Sequence, residues 1–286
     1  MVNKIAVIGG DMRHAMLAQL LSEDGYDVRT YAMAESESHS SAEKTINLKS
    51  IENCDALILP MPVTQNGIHI NATMYKGTIL LDDVMKSVSS DAIVLGGKLP
   101  LYLVKKYKQL SFYDYLERED FAVKNSVATA EGALALAINE TPHTLWNSRC
   151  LVTGFGRISK TLVRMLTALG ARVDVAARKC SDRAWAHTLS CGTYEMSELE
   201  KYIEKYDLIF NTIPDKVLTS SILAKINSRS LIIDLASKPG GVDFDAAKEY
   251  GLNVIWALSL PGKVAPYTSG KILKDTIVNI FNEINE

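Results

Sequence analysis

The sequence predicts an α/β protein of two Rossmann-like, doubly wound parallel-sheet domains with a cleft between them. Three observations carry the prediction. The chain has 286 residues, more than the roughly 100–200 that one domain usually holds. Short apolar runs alternate with segments of helical period along its length, the mark of βαβ units. One pattern of strand, glycine turn, helix, glycine and strand also occurs twice, as IAVIGGDMRHAMLAQLLSEDGYDV from Ile5 and as CLVTGFGRISKTLVRMLTALGARVDV from Cys150.

In chain order, KIAVIGG is a strand closed by glycines, and HAMLAQLLSEDG carries its leucines at helical spacing up to Gly25. VRTY, DALILP, TILL and AIVLGG read as strands and LYLVKKYKQL as a helix, which makes residues 1–124 an N-terminal domain for substrate or partner. NSVATAEGALALAINE is too rich in alanine and too long to be a loop, and reads as a bridging helix over 125–144. Residues 145–267 repeat the doubly wound pattern with RCLVTG, RVDVAA, DLIFNT, SLIIDLA and NVIWAL as strands. ISKTLVRMLTALG, RAWAHTLSCG and FDAAKEYG are its helices. YTSGKILKDTIVNIFNEI then has helical spacing and no strand after it; Thr268 or Ser269 suits its N-cap, and helix 268–286 is expected to complete the first domain.

Composition excludes several classes. Hydrophobic residues make up 47% and charged residues 22%, ordinary for a folded chain. A net charge of −2 offers no basic face for a nucleic-acid backbone. Cys54, Cys150, Cys180 and Cys191 lack the close pairs of zinc or redox motifs, so no metal is expected and a reduced cytoplasm fits best. MVNKIAVIGGD goes straight into a strand pattern, unlike a signal peptide, and no apolar run reaches the ~18 residues of a membrane span.

The second glycine turn reads as a dinucleotide site. Gly154 permits the tight exit from its strand, and Gly156 lets backbone approach a pyrophosphate at the positive end of the following helix, with Phe155, Arg157 and Ile158 in the same turn. The third glycine of the fingerprint is replaced by Ser159, small enough to fill the position. In the first copy Gly9-Gly10-Asp11 sets a carboxylate where a pyrophosphate would approach, so that domain is expected to hold no dinucleotide. An NAD site would place Asp or Glu at the end of the second strand, near the ribose 2′-hydroxyl. This chain has Ala177-Arg178-Lys179-Cys180-Ser181 there. At ~5 Å and an effective dielectric of ~20, a charge pair is worth roughly 3 kcal/mol, attractive between a cation and a 2′-phosphate and repulsive for a carboxylate. The expected cofactor is therefore NADP, gripped by Arg178 with donors from Lys179 and Ser181.

Three further segments fall at strand ends of the second domain, where ligands of open α/β sheets collect. Asn211-Thr212-Ile213-Pro214 is expected to meet the cofactor, as are Asp234 and Ser237 of DLASKPGG and Pro261 of the loop that follows NVIWAL. Together with ALILPMPVTQNG and NSVATAEGALALAI, the runs GFGR, NTIP, DLASKPGGVDF and LPGKVAPYTSGKIL resemble, in this order, the dipicolinate synthase A-subunit family over nearly the whole chain. The chain is similar, more distantly, to alanine dehydrogenase. That family has Asp two residues before a Gly-Gly pair where this chain has Lys238, a departure that argues against an amino-acid dehydrogenase reaction.

The resemblance implies an oxidoreductase of spore-forming bacteria, located in the mother cell. With a second, flavoprotein-like subunit it converts dihydrodipicolinate to dipicolinate on a branch of the diaminopimelate route to lysine. Such a cyclic dicarboxylate calls for cations and hydroxyls from both domains. Lys238 and Lys263 are the candidates for the reaction centre, and Thr64, Lys98, Thr268 and Ser269 for further substrate contacts. His69 and Glu131 are open choices for a proton acceptor, and neither is assigned. The alternatives are a non-catalytic NADP-binding subunit of the same complex and an enzyme like the alanine or 2-hydroxyacid dehydrogenases. A homo- or hetero-oligomer is expected.

Overall fold

Parallel strands must be joined by crossovers, and most of the crossovers among the described residues carry a helix back over one face of a sheet. A computed structural model describes residues 2–33, 43–44 and 47–286, and the chain divides into two compact units, 1–125 with 261–286, and 126–260. In the first unit β1 (Lys4–Ile8), β2 (Asp27–Tyr31), β3 (Glu43–Lys44), β4 (Ala56–Ile58), β5 (Ile93–Gly96) and β6 (Ser111–Asp114) form an all-parallel sheet in the order β3-β2-β1-β4-β5-β6. In the second, β7 (Arg149–Thr153), β8 (Arg172–Ala177), β9 (Gly192–Glu195), β10 (Leu208–Asn211), β11 (Leu231–Asp234) and β12 (Asn253–Trp256) give β12-β11-β10-β7-β8-β9. Both orders are the doubly wound Rossmann arrangement, with its reversal between β1 and β4 and between β7 and β10.

Each sheet is covered on both faces because its strands alternate apolar residues to either side. Ile5 and Val7 of β1 pack with Leu17 and Leu21 of α1 (Met12–Glu23) and with Leu273 and Ile277 of a long C-terminal helix. Ala6 and Ile8 face Leu81 and Val84 of α2 (Leu81–Lys86) and Leu103 of α3 (Leu101–Lys106). In the second unit Cys150 and Val152 meet Ala130, Ala133 and Ala137 of α4 (Glu119–Glu140) and Leu162 and Leu166 of α5 (Arg157–Ala168). Leu151, pointing the other way, joins Leu223 of α7 (Ser220–Leu223) and Ala246 of α8 (Phe244–Glu249). The remaining helices are α6 (Cys180–Thr188), α9 (Leu260–Val264) and α10 (Pro266–Asn285).

The sequence pattern fails at four places, each for a physical reason. TILL, expected as a strand, contributes one isolated bridge from Leu80 to His69, and Leu81 begins α2. The strands β3, β6 and β9 are edge or near-solvent strands without a clean apolar run. Residues 260–264, expected as loop, form α9, and from Pro261 onward the chain clusters with the first unit rather than the second. A Cβ on Gly262 would lie 3.0 Å from both Arg13 Nε and Asp11 Oδ2, so this turn sits on the start of α1. Finally, α10 begins at Pro266 behind Ala265 as N-cap, leaving Thr268 and Ser269 inside the helix. Gly270 brings α10 close to α1, since a Cβ there would stand 2.5 Å from Met16 Cβ and 2.9 Å from the Arg13 carbonyl. No helix among the described residues is long and apolar enough to cross a membrane.

A buried polar network ties the strand ends of the first unit. Asp11 caps α1, accepting from Arg13 N at 3.1 Å, and holds the Arg13 guanidinium at 2.9 Å (Nε to Oδ1) and 2.6 Å (Nη2 to Oδ2). Tyr115 donates to the Leu59 carbonyl at 2.7 Å, so its oxygen is left to accept from His14 Nε2 at 3.4 Å. His14 Nδ1 then accepts the Asp11 N–H at 3.3 Å, which describes a neutral imidazole. Burial pushes the His14 pKa below its usual value. Burial opposes ionisation of Asp11, but the Arg13 guanidinium bonded to it holds its carboxyl well below the usual range.

The sign of the pH effect follows. A neutral buried His14 takes up a proton in the unfolded chain before it does in the folded one. Its contribution is whole above the unfolded value of ~6.5 and is lost as pH falls below it. Urea denaturation from pH 7.5 to 5.5 is expected to show falling stability, with a shallower fall in His14→Gln.

Candidate functional site

The glycine turn of the second unit leaves the start of its helix uncovered. Gly154 has φ +86°, a region that disfavours side chains, and a Cβ there would also stand 2.8 Å from Thr212 Oγ1 and 2.9 Å from Ile213 Cγ1. Gly156 is the N-cap of α5 in extended conformation, and a Cβ on it would meet nothing within 4 Å. Neither a side-chain cap nor an acidic residue occupies the first turn of α5. The positive end of that helix therefore opens onto free space, as a pyrophosphate requires. Arg157 and Ile158 begin the helix, Arg157 exposed, while Phe155 is buried under the turn.

Ser159 does more than fill the third glycine's place. It is fully buried, and its Oγ lies 2.8 Å from Thr212 Oγ1. Thr212 already donates to the Thr153 carbonyl at 2.9 Å, so Ser159 is the donor between the two hydroxyls. The departure from glycine thus cross-ties α5 to the loop after β10.

Asn211 and Asp234 are expected in sequence to meet the cofactor, and the structure corrects this: both are fully buried and their polar atoms are bonded within the protein. Asn211 Nδ2 donates to Asp234 Oδ1 at 2.7 Å and to the Ile213 carbonyl at 3.0 Å. Its Oδ1 accepts from Thr153 Oγ1 at 2.6 Å and from Ile213 N at 3.2 Å. Asp234 also accepts the N–H groups of Ala236 at 3.1 Å and Gly241 at 2.8 Å. The two side chains hold the carboxyl ends of β7, β10 and β11 and shape the loops that follow. Thr153, which sequence reasoning missed and whose only signal was its place at the end of β7, is part of this brace, as is Gly241 of the Pro-Gly-Gly turn after β11.

The loops themselves face outward. Ile213 is half-buried and Pro214 exposed, and Ser237 and Lys238 are exposed in the turn 237–240, whose Gly240 N–H returns to the Ser237 carbonyl at 2.9 Å. Past β8, Arg178, Lys179 and Ser181 are all exposed around the start of α6, whose N-cap Lys179 makes no side-chain cap bond. Asp174, the carboxylate within β8, is engaged elsewhere by Tyr206 at 2.7 Å and Lys205 at 3.0 Å. Asp182 lies in the first turn of α6.

The remaining candidates belong to the first unit. Thr64 Oγ1 donates to Asn66 Oδ1 at 3.3 Å and accepts from Gly67 N at 3.0 Å, shaping the loop after β4. In the same loop His69 Nδ1 receives the Asn66 amide at 3.0 Å. Lys98, exposed with φ +57°, follows β5, and its N–H is held by Asp114 at 3.1 Å. Lys263 and Thr268 are exposed on α9 and α10. Pro261 is buried in this unit and Ser269 is 1% exposed, its Oγ donating to the Pro261 carbonyl at 3.1 Å. That bond ties α9 to α10, which corrects the expectation that Ser269 is offered to a substrate and that Pro261 belongs with the dinucleotide unit.

Comparison with known proteins agrees with this division. Residues 4–115 match the family of the N-terminal domain of the dipicolinate synthase A-subunit, and residues 142–246 match one described as "Putative NAD(P)-binding". The dipicolinate synthase A-subunit of Bacillus subtilis (strain 168) is 32% identical over 98% of this chain and 96% of its own. The crystal structure of the dipicolinate synthase A-subunit from Bacillus halodurans superposes with a TM-score of 0.88 at 30% identity, covering 97% of each chain. L-alanine dehydrogenase, at 14% identity and a TM-score of 0.64 over 97% of this chain and 88% of its own, shares the fold.

The brace and the cross-tie differ in weight. Asp234→Asn presents an amide donor to backbone N–H groups in a dry site and is expected to cost the second unit about 2–3 kcal/mol, against ~1 kcal/mol for Ser159→Ala. Urea denaturation of the two variants checks the order; equal effects would show that the carboxylate is not the anchor.

Proposed function

We propose, from the premise that the chain belongs to the dipicolinate synthase A-subunit family, that it is an NADP-dependent oxidoreductase converting dihydrodipicolinate to dipicolinate. It acts with a second, flavoprotein-like subunit during sporulation in the cytoplasm of the mother cell, as part of a homo- or hetero-oligomer. The observation that carries the choice of cofactor is the end of β8, where exposed Arg178 and Lys179 stand at the start of an uncapped α6. The two cations there favour a phosphorylated ribose.

When bound, the cofactor takes up the hydride. The work of this chain is to hold and orient. Gly156 and the start of α5 receive the pyrophosphate, with Arg157 adding charge, and Arg178, Lys179 and Ser181 receive the 2′-phosphate. Thr212, Ile213, Pro214 and Ser237 border the dinucleotide on loops fixed from beneath by Asn211 and Asp234. Lys238 and Lys263, with no ion pair among the described residues, neutralise the substrate's carboxylates, aided by Thr64, Lys98 and Thr268. Loss of a hydride and a proton turns the dihydropyridine into a pyridine, so the products are dipicolinate, NADPH and a proton. Aromatisation supplies much of the driving force, and positioning is the protein's main task.

Freshly generated dihydrodipicolinate, given to the purified chain with and without its partner subunit, is expected to yield NADPH. Turnover that needs the partner but not NADP would overturn the reading. Arg178→Ala and Lys179→Ala are each expected to weaken NADP binding about tenfold, the worth of one charge-assisted hydrogen bond, and to leave NAD binding unchanged. A fluorescence titration with both nucleotides measures this.

A further inference from the structure

We propose that Arg183 is the positioning residue for cofactor choice: it fixes the turn that carries Arg178 and Lys179, and through that turn sets the preference for a phosphorylated ribose. The inference rests on the NADP reading above and adds a residue that the sequence pattern does not single out. Arg183 lies in the first turns of α6, where an arginine usually reads as a solvated surface charge.

Its guanidinium turns back instead. Nη1 donates to the Ala177 carbonyl at 2.8 Å and to the Arg178 carbonyl at 2.8 Å, and Nη2 lies 3.2 Å from Cys180 Sγ. The side chain is 19% exposed, and its nearest carboxylate, Glu195, stands 3.9 Å away and is largely in solvent. One planar group therefore clasps two successive carbonyls at the point where β8 ends and α6 begins. Ala177 is 2% exposed, so its carbonyl sits where water does not readily replace a lost donor.

Two consequences follow from this geometry. Both Nη1 protons are spent on carbonyls and Nη2 is turned toward Cys180, so Arg183 acts through the turn rather than as a direct phosphate ligand. Fixing the carbonyls of 177 and 178 also fixes the peptide planes on either side of Arg178, and with them the direction of its side chain and of the first N–H groups of α6. Lysine at 183 would keep the charge, but its nitrogen stands one bond nearer the backbone than Nη1 and lacks the planar pair of N–H groups that Nη1 fixes on the two carbonyls.

The test uses the whole chain with NADP and NAD as probes, titrated by fluorescence into the unaltered protein, Arg183→Lys and Arg183→Met, with thermal melts followed by circular dichroism to confirm folding. The expected result is a fall of about tenfold in the ratio of NADP to NAD affinity in both variants, the loss of roughly one charge-assisted hydrogen bond's worth of alignment, with NAD affinity held within about twofold. A parallel fall in both affinities would assign Arg183 a merely structural role and overturn the proposal. A ratio kept in Arg183→Lys and lost only in Arg183→Met would overturn it too, because charge alone would then suffice. Equal affinities in the unaltered chain would instead remove the NADP reading itself, a failure visible before any variant is made.

Discussion

The second unit depends on one buried carboxylate. Asp234, fully buried at the end of β11, accepts from Asn211 and from the N–H groups of Ala236 and Gly241. A carboxyl group in such a place is tolerable only when its oxygens meet donors. Saturating them draws together the carboxyl ends of three strands, because Asn211 passes the connection on to Thr153 of β7. The outward loops, including the exposed turn at Lys238, start from this fixed base.

The same strand-turn-helix pattern reaches opposite ends in the two units. In the first, Asp11 caps α1 and binds Arg13, so the protein's own carboxylate answers the helix dipole. In the second, Gly156 caps α5 with no side chain at all, and no carboxylate of the first turn answers the dipole. The turn of the first unit is further sealed by the approach of Gly262 to Asp11 and Arg13. One residue type after the glycines separates a helix start capped by its own carboxylate from one left uncapped.

Polar residues at and near strand ends divide by burial into those spent inside the protein and those left at the surface. Ser269 and Asn211 carry side chains suited to either task, and both are spent inside the protein. Arg178, Lys179 and Lys238 lie exposed at turns and a helix start, and Lys263 is exposed in the last turn of α9. A Ser in place of the third glycine belongs with those spent inside, since its hydroxyl reaches Thr212 rather than solvent.

The sequence by itself determined the two doubly wound units, the order of their principal strands and the glycine turn at 154–156, because alternation, helical period and backbone permissiveness are local properties that residue types state directly. It also placed the cations past β8. What only the tertiary structure decided is partnership: that Asn211 and Asp234 face each other, that Ser159 meets Thr212, that Arg183 turns back on β8, and that residues after Pro261 join the first unit. Each of these pairs is brought together by sheet pairing or helix packing between segments that are distant or differently oriented in the chain, and such meetings leave no periodic trace in the order of the residues.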